Sequence, residues 1–114
     1  MAARVASTVL DELTRRDAVA NARRMEDLFR AQMAAAIGKR REHCRLRATG
    51  LCLALETHHP DYALQVARSA FDVGLRIRAI DQNVIACPPL VMSEDEISQM
   101  SVLLSRALDL AERR

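Results

Sequence analysis

A single lysine, no tryptophan, three glycines and three prolines are what this chain of 114 residues has least of, and each scarcity excludes something. Aromatic residues are 3% of the chain against 50% hydrophobic residues overall. The core therefore has to be built from Ala, Leu, Val, Ile and Met, a composition suited to helix-rich packing and unsuited to a β-sandwich. Of the 17 basic residues all but Lys39 are arginine, so any chemistry that needs a side-chain amine must use Lys39 or come from elsewhere. Gly38, Gly50 and Gly74 are scattered singly, which leaves no glycine-rich turn to cradle a phosphate. Cys44, Cys52 and Cys87 are odd in number and lack CxxC spacing, and two of them stand inside apolar runs. Reduced, buried thiols in a cytoplasmic protein are expected, not a structural disulfide. No segment approaches the roughly 20 apolar residues that span a membrane, and "MAARVASTVLDELTRR" has no apolar run of signal-peptide length. A formal charge of +2 is too small to call for nucleic acid or a membrane surface as partner.

What is present reads as one domain, long enough to bury roughly two thirds of the surface of its unfolded chain. Val5, Val9, Leu10 and Leu13 recur at helical spacing, and Asp17 is placed to cap a second, longer helix. The stripe of that helix runs Val19, Ala22, Met25, Phe29, Met33 and Ile37, with Gly38 as its stop. A basic connector, "KRREHCRLR", leads to "GLCLALE", short and apolar enough for a buried strand. Pro60 suits the first turn of a third helix with Leu64, Ala67 and Phe71 on its inner side. "LRIRAI" alternates apolar residues with Arg76 and Arg78, the period of a strand with one dry face, and a "DQN" turn leads to "VIAC" as hairpin partner. Ser93 with Glu96 three residues on forms a capping box for the last helix, and Met92 with Ile97 occupies the positions of a hydrophobic staple. The expected fold is thus two-layer α/β, a small three-stranded sheet covered by helices, in the order helix, helix, strand, helix, strand, strand, helix.

This order and its wording resemble the C-terminal small domain of the class III aminotransferases, fold type I enzymes that use pyridoxal phosphate. "VASTVLDELTRRDAVANARRMEDLFRAQM" is similar to the family's domain-joining helix and the helix after it. "RLRATGLCLALE" resembles a strand entered through an Arg-Gly-x-Gly-Leu motif, with Ala48 in place of the first glycine. "GLRIRAIDQNVIACPPLVMSEDEI" resembles the segment in which an arginine strand and turn lead to Pro-Pro-Leu and a capped helix. The resemblance implies that residues 1–14 end the joining helix, 17–38 form the next helix and 48–114 form the rest of the small domain.

Relatives that use 2-oxoglutarate commonly carry an arginine three residues before the first proline, where this chain has Ile85. The likeness therefore points to the ω-amino-acid and amine:pyruvate branch. There an arginine matching Arg78 pairs with the substrate carboxylate, a role suited to a guanidinium fork. The branch also implies homodimers of a larger enzyme. That enzyme's cofactor lysine and phosphate turn belong to a large domain upstream, and Lys39 is not at the family's catalytic position. No catalytic residue is expected in this chain, and the expectation is a fragment, since the first helix starts at Met1 where the joining helix would already be under way. The alternative is a stand-alone, non-catalytic interaction module derived from the same domain.

Other candidates have plainer readings. Arg76 reads as a solvated charge and Arg47 as the anchor of a strand end. His58 and His59 are neighbours whose side chains diverge on an extended chain, so they read as loop residues and not as metal ligands. His43 and Cys44 lack the orienting group that a nucleophile and base require. The arginines of "KRREHCRLR" suit a helix C-terminus better than a nucleic acid.

Overall fold

The apolar spacing that defines the long second helix organises the molecule. In the computed structural model, which describes residues 1–42 and 44–113, helix α2 (Ala18–Ile37) buries Ala22, Phe29, Met33, Ala36 and Ile37 against everything that follows. Before it lies helix α1 (Ala2–Arg15); after it come a 3-10 segment (Gly38–Glu42), strands β1 (Cys44–Thr49) and β2 (Cys52–Thr57), and helix α3 (Pro60–Asp72). Strands β3 (Arg78–Ile80) and β4 (Asn83–Ala86) and helix α4 (Glu94–Arg113) complete the chain. The four strands form one antiparallel sheet in the order β1-β2-β4-β3. Leu53, Leu55 and Val84 on its inner side meet Phe29, Val66, Ile97 and Leu104 in one core. Two layers result, three helices on one face of the sheet and open space on the other.

The expected three-stranded sheet is corrected to four strands, and the order gains a strand between the second and third helices. The missed strand is β1, hidden in the basic connector. Cys44, Leu46 and Ala48 supply only a thin inward face, while Arg45, Arg47 and Thr49 point to solvent. It exists because it pairs with β2 along its full length, from Cys44 opposite Thr57 to Thr49 opposite Cys52. Gly50, at φ 58, makes the two-residue turn. The outer side of α2 holds this hairpin: the Glu26 carboxylate accepts the Gly50 N–H at 3.0 Å, and the Arg30 guanidinium donates to the Ala48 carbonyl at 2.9 Å.

The strand expected over 75–80 is paired only at Arg78–Ile80. Its partner β4 runs into Pro88 and Pro89, which cannot continue a ladder, so Leu75 and Ile77 pack on the core without pairing. Two helix details also change. Asp17 flanks α2 at φ 53 and its side chain makes no cap; it faces Arg24 at 3.7 Å instead. In α3 the buried residues are Ala63, Val66, Ser69 and Ala70, one position round from the expected stripe, and Leu64 and Phe71 are exposed, Phe71 at 69%. Short residues line the inner side because α3 lies close to both α4 and the sheet. The capping box at α4 is as expected, with Ser93 Oγ accepting from the Glu96 N–H at 3.2 Å and Glu96 accepting from the Ser93 N–H at 3.0 Å. Met92 and Ile97 are both buried behind it.

Candidate functional site on the open face of the sheet

The strand registers fix which side chains share the open face. Arg78 stands opposite Ile85, Ile85 opposite Ala54, and Ala54 opposite Arg47, so one row crosses all four strands with an arginine at each edge. Three strand spacings put the two arginine backbones roughly 14 Å apart. Arg78 is exposed, while Ala79 beside it turns inward to the core. Arg47 is not at a strand end as expected; it lies within β1 and donates to the Asn83 Oδ1 at 3.2 Å, tying β1 to β4 across β2. On the Arg47 side of this row, Arg47, Thr49, Cys52, Ala54 and Ile85 line a shallow, mostly apolar depression of about 350 Å³.

Among the described residues no hydrogen bond or ion pair engages the Arg78 side chain, which leaves its fork of donors turned to the open side. The edge position follows from the tight turn at Asp81 (φ 52) and Gln82, whose carbonyl accepts both the Thr57 N–H at 2.8 Å and the Thr57 hydroxyl at 2.7 Å. Those bonds anchor the β3–β4 hairpin to the end of β2. From the far side, Asn21 on α2 donates to the Leu90 and Met92 carbonyls at 2.7 and 3.1 Å, holding the segment after the prolines. Arg78 is thus presented by a fixed hairpin. Arg76, expected on the same strand face, is exposed outside the paired strand.

Of the other singled-out residues, His58, His59 and Cys44 lie elsewhere. His59 caps α3, its Nδ1 accepting the Asp61 N–H at 3.1 Å, and His58 stacks near Tyr62 at 5.1 Å between ring centroids. Burial pushes the Tyr62 hydroxyl up to about 12. His43 lies outside the described residues. Cys44 is buried, and burial pushes its thiol up. Cys52 and Cys87, expected to be buried, are exposed on the open face with their sulfurs 3.1 Å apart. Sequence reasoning missed this pair because apolar neighbours on a strand alternate sides, and only the β2–β4 register shows which side each cysteine takes.

Set against a pyridoxal phosphate site, the residues do not fit. Lys39 is exposed in the 3-10 segment beside Arg40, which pairs with Asp109 and with Glu112 on α4. Asp17 directly precedes α2, Asp61 lies in the first turn of α3, and Glu94, Asp95 and Glu96 in that of α4, carboxylates that repel a phosphate where a helix would otherwise bind one.

Solved structures share this fold. A PMP-bound aminotransferase from Vibrio fluvialis is 25% identical, with a TM-score of 0.74 over 85% of this chain and 24% of that one. An omega-aminotransferase from Paracoccus denitrificans, 24% identical, has a TM-score of 0.75 over 84% of this chain and 24% of its own. A transaminase with L-ala shares the fold at 20% identity and a TM-score of 0.84, covering 96% of this chain and 28% of that one. The chain spans about a quarter of the length of these structures. No curated protein matches it significantly. The family model for class-III aminotransferases matches residues 1–108, and the chain belongs to that family.

Proposed function

We propose that this chain is the small domain of a pyridoxal-phosphate-dependent aminotransferase that moves an amino group from an amine or ω-amino acid to an oxo acid such as pyruvate. In this reading residues 1–14 end the helix that joins two domains, residues 17–38 form the next helix, and residues 48–114 form the rest of the small domain. The cofactor lysine and phosphate site belong to a large domain outside this sequence, and the chain is inactive alone.

The observation that carries the reading is Arg78, a guanidinium without a side-chain partner among the described residues, on a braced edge hairpin in a fold shared with transaminases. Its part is to bind and orient a carboxylate through two parallel charge-assisted hydrogen bonds. Ile85, its cross-strand neighbour, adds no second cation beside it, which favours a substrate with one carboxylate over a dicarboxylate such as 2-oxoglutarate. The apolar residues left outside, Val5, Val9 and Leu10 on α1 and Leu64 and Phe71 on α3, favour a domain that docks on a larger body over a stand-alone interaction module.

The DNA upstream of the first codon provides the first test: it encodes a lysine-bearing large domain, and its lack of one in any frame would sink the fragment reading. In the joined enzyme, Arg78→Ala lowers kcat/KM for a carboxylate-bearing donor by about 10- to 100-fold and leaves an uncharged amine nearly unaffected. An equal fall for both donors removes Arg78 from carboxylate binding.

A further inference from the structure

Cys52 opens β2 and Cys87 directly follows β4, in the register that continues the antiparallel Leu53–Ala86 pair by one residue. Both side chains are exposed on the open face, and their Sγ atoms are 3.1 Å apart. The sheet holds both backbones, since each cysteine adjoins the Leu53–Ala86 pair. Cys52 opens β2, whose pairing with β1 is complete, and Cys87 precedes Pro88, which keeps it extended. Cys44, the remaining thiol, is buried. A pair of accessible thiols held in contact by a rigid sheet has little left to lose in joining.

From this we infer a modification site: Cys52 and Cys87 form a dithiol that exchanges with low-molecular-weight disulfides to close a cross-strand disulfide. One thiol of the pair, as its thiolate, attacks a sulfur of the small disulfide; that S–S bond breaks, and the first small thiol leaves and takes up a proton. The second protein thiolate then attacks the mixed disulfide and expels the other small thiol. Two electrons pass from the chain to the reagent, two protein S–H bonds are lost and two small thiols are formed. The bond would close the chain from β2 through α3 and β3 to β4, stapling the sheet where its ladder ends. Hydrogen bonding to Cys52, ahead of burial, pushes the Cys87 thiol up, so the exchange quickens as pH rises. The exchange needs no aminotransferase chemistry, although Cys52 also lines the depression beside Arg47.

The test incubates the native 114-residue chain with glutathione disulfide, blocks remaining thiols by alkylation and reads intact mass, peptide pairing and Tm. The oxidised chain is expected to carry no interchain disulfide and to lose about 2 Da, the two thiol hydrogens. Its peptides join Cys52 to Cys87, Cys44 is alkylated only after denaturation, and Tm rises by roughly 10 °C. Cys52→Ser and Cys87→Ser each stop at a glutathione adduct of about 305 Da with no such rise. Both positions are exposed, so the serine variants keep the fold. An unreacted native chain, a persistent glutathione adduct on the unsubstituted chain, a bond involving Cys44 or a bond between two chains overturns the inference.

Discussion

Ser93 and Glu96 close the start of α4 on each other, and the exchange is visible in the carboxyl group. The Ser93 backbone N–H, and after it the Ser93 hydroxyl, lowers the Glu96 pKa below its ordinary value. A depressed carboxylate contributes stability that is present above its unfolded pKa and lost as pH falls through the folded one, so this contribution fades on acidification below about 4.5. Ser93→Ala removes the hydroxyl acceptor and costs about 1 kcal/mol, measurable by chemical denaturation. In the same variant the Glu96 pKa, followed by NMR titration, moves up toward its unperturbed value.

Helices α2 and α3 show how an element's buried side decides what its residues are worth. Phe29 is fully buried, in the core where α2 meets the sheet, whereas Phe71 on α3 is 69% exposed. Phe29→Ala is expected to cost about 3–5 kcal/mol through lost contacts and the cavity left behind. Phe71→Ala, the same chemical change, stays within about 0.5 kcal/mol. Equal losses in urea unfolding of the two variants would contradict the observed orientation of α3. Both phenylalanines stand at helical spacing with other apolar residues, so periodicity alone treats them alike. The α3 stripe was legible as a helix and misread in phase, because Ala63, Val66 and Ala70 make an equally good stripe of smaller residues.

Across the whole molecule the stable body and the projecting part separate cleanly. The core draws on α2, α3, α4 and the sheet, and α1 contributes no buried residue to it. Removing residues 1–15 is therefore expected to leave the unfolding free energy of the remainder within about 0.5 kcal/mol. A larger loss in thermal or denaturant unfolding would show that α1 packs on the body. By contrast, the body is tied by bonds between residues distant in sequence. Ser101 donates to the Gln32 carbonyl at 3.0 Å, Arg40 reaches Asp109 and Glu112, and Asn21 holds the segment after the double proline.

The capped last helix, the stop at the double proline, the long amphipathic α2 and the alternating residues around Arg78 were legible in the sequence, because each rests on neighbours within a few positions. So was the family, through the wording of those same stretches. Strand β1 was not, since an arginine-rich segment becomes a strand only when a partner takes up its backbone groups. The row from Arg47 to Arg78 and the contact between Cys52 and Cys87 likewise depend on the pairing of β2 with β4, which brings together residues about thirty positions apart. Local spacing thus determined what most of the elements are and where most of them stop. Long-range pairing alone decided which side chains share the open face, because a strand shows alternate residues to opposite sides and only its register says which side is which.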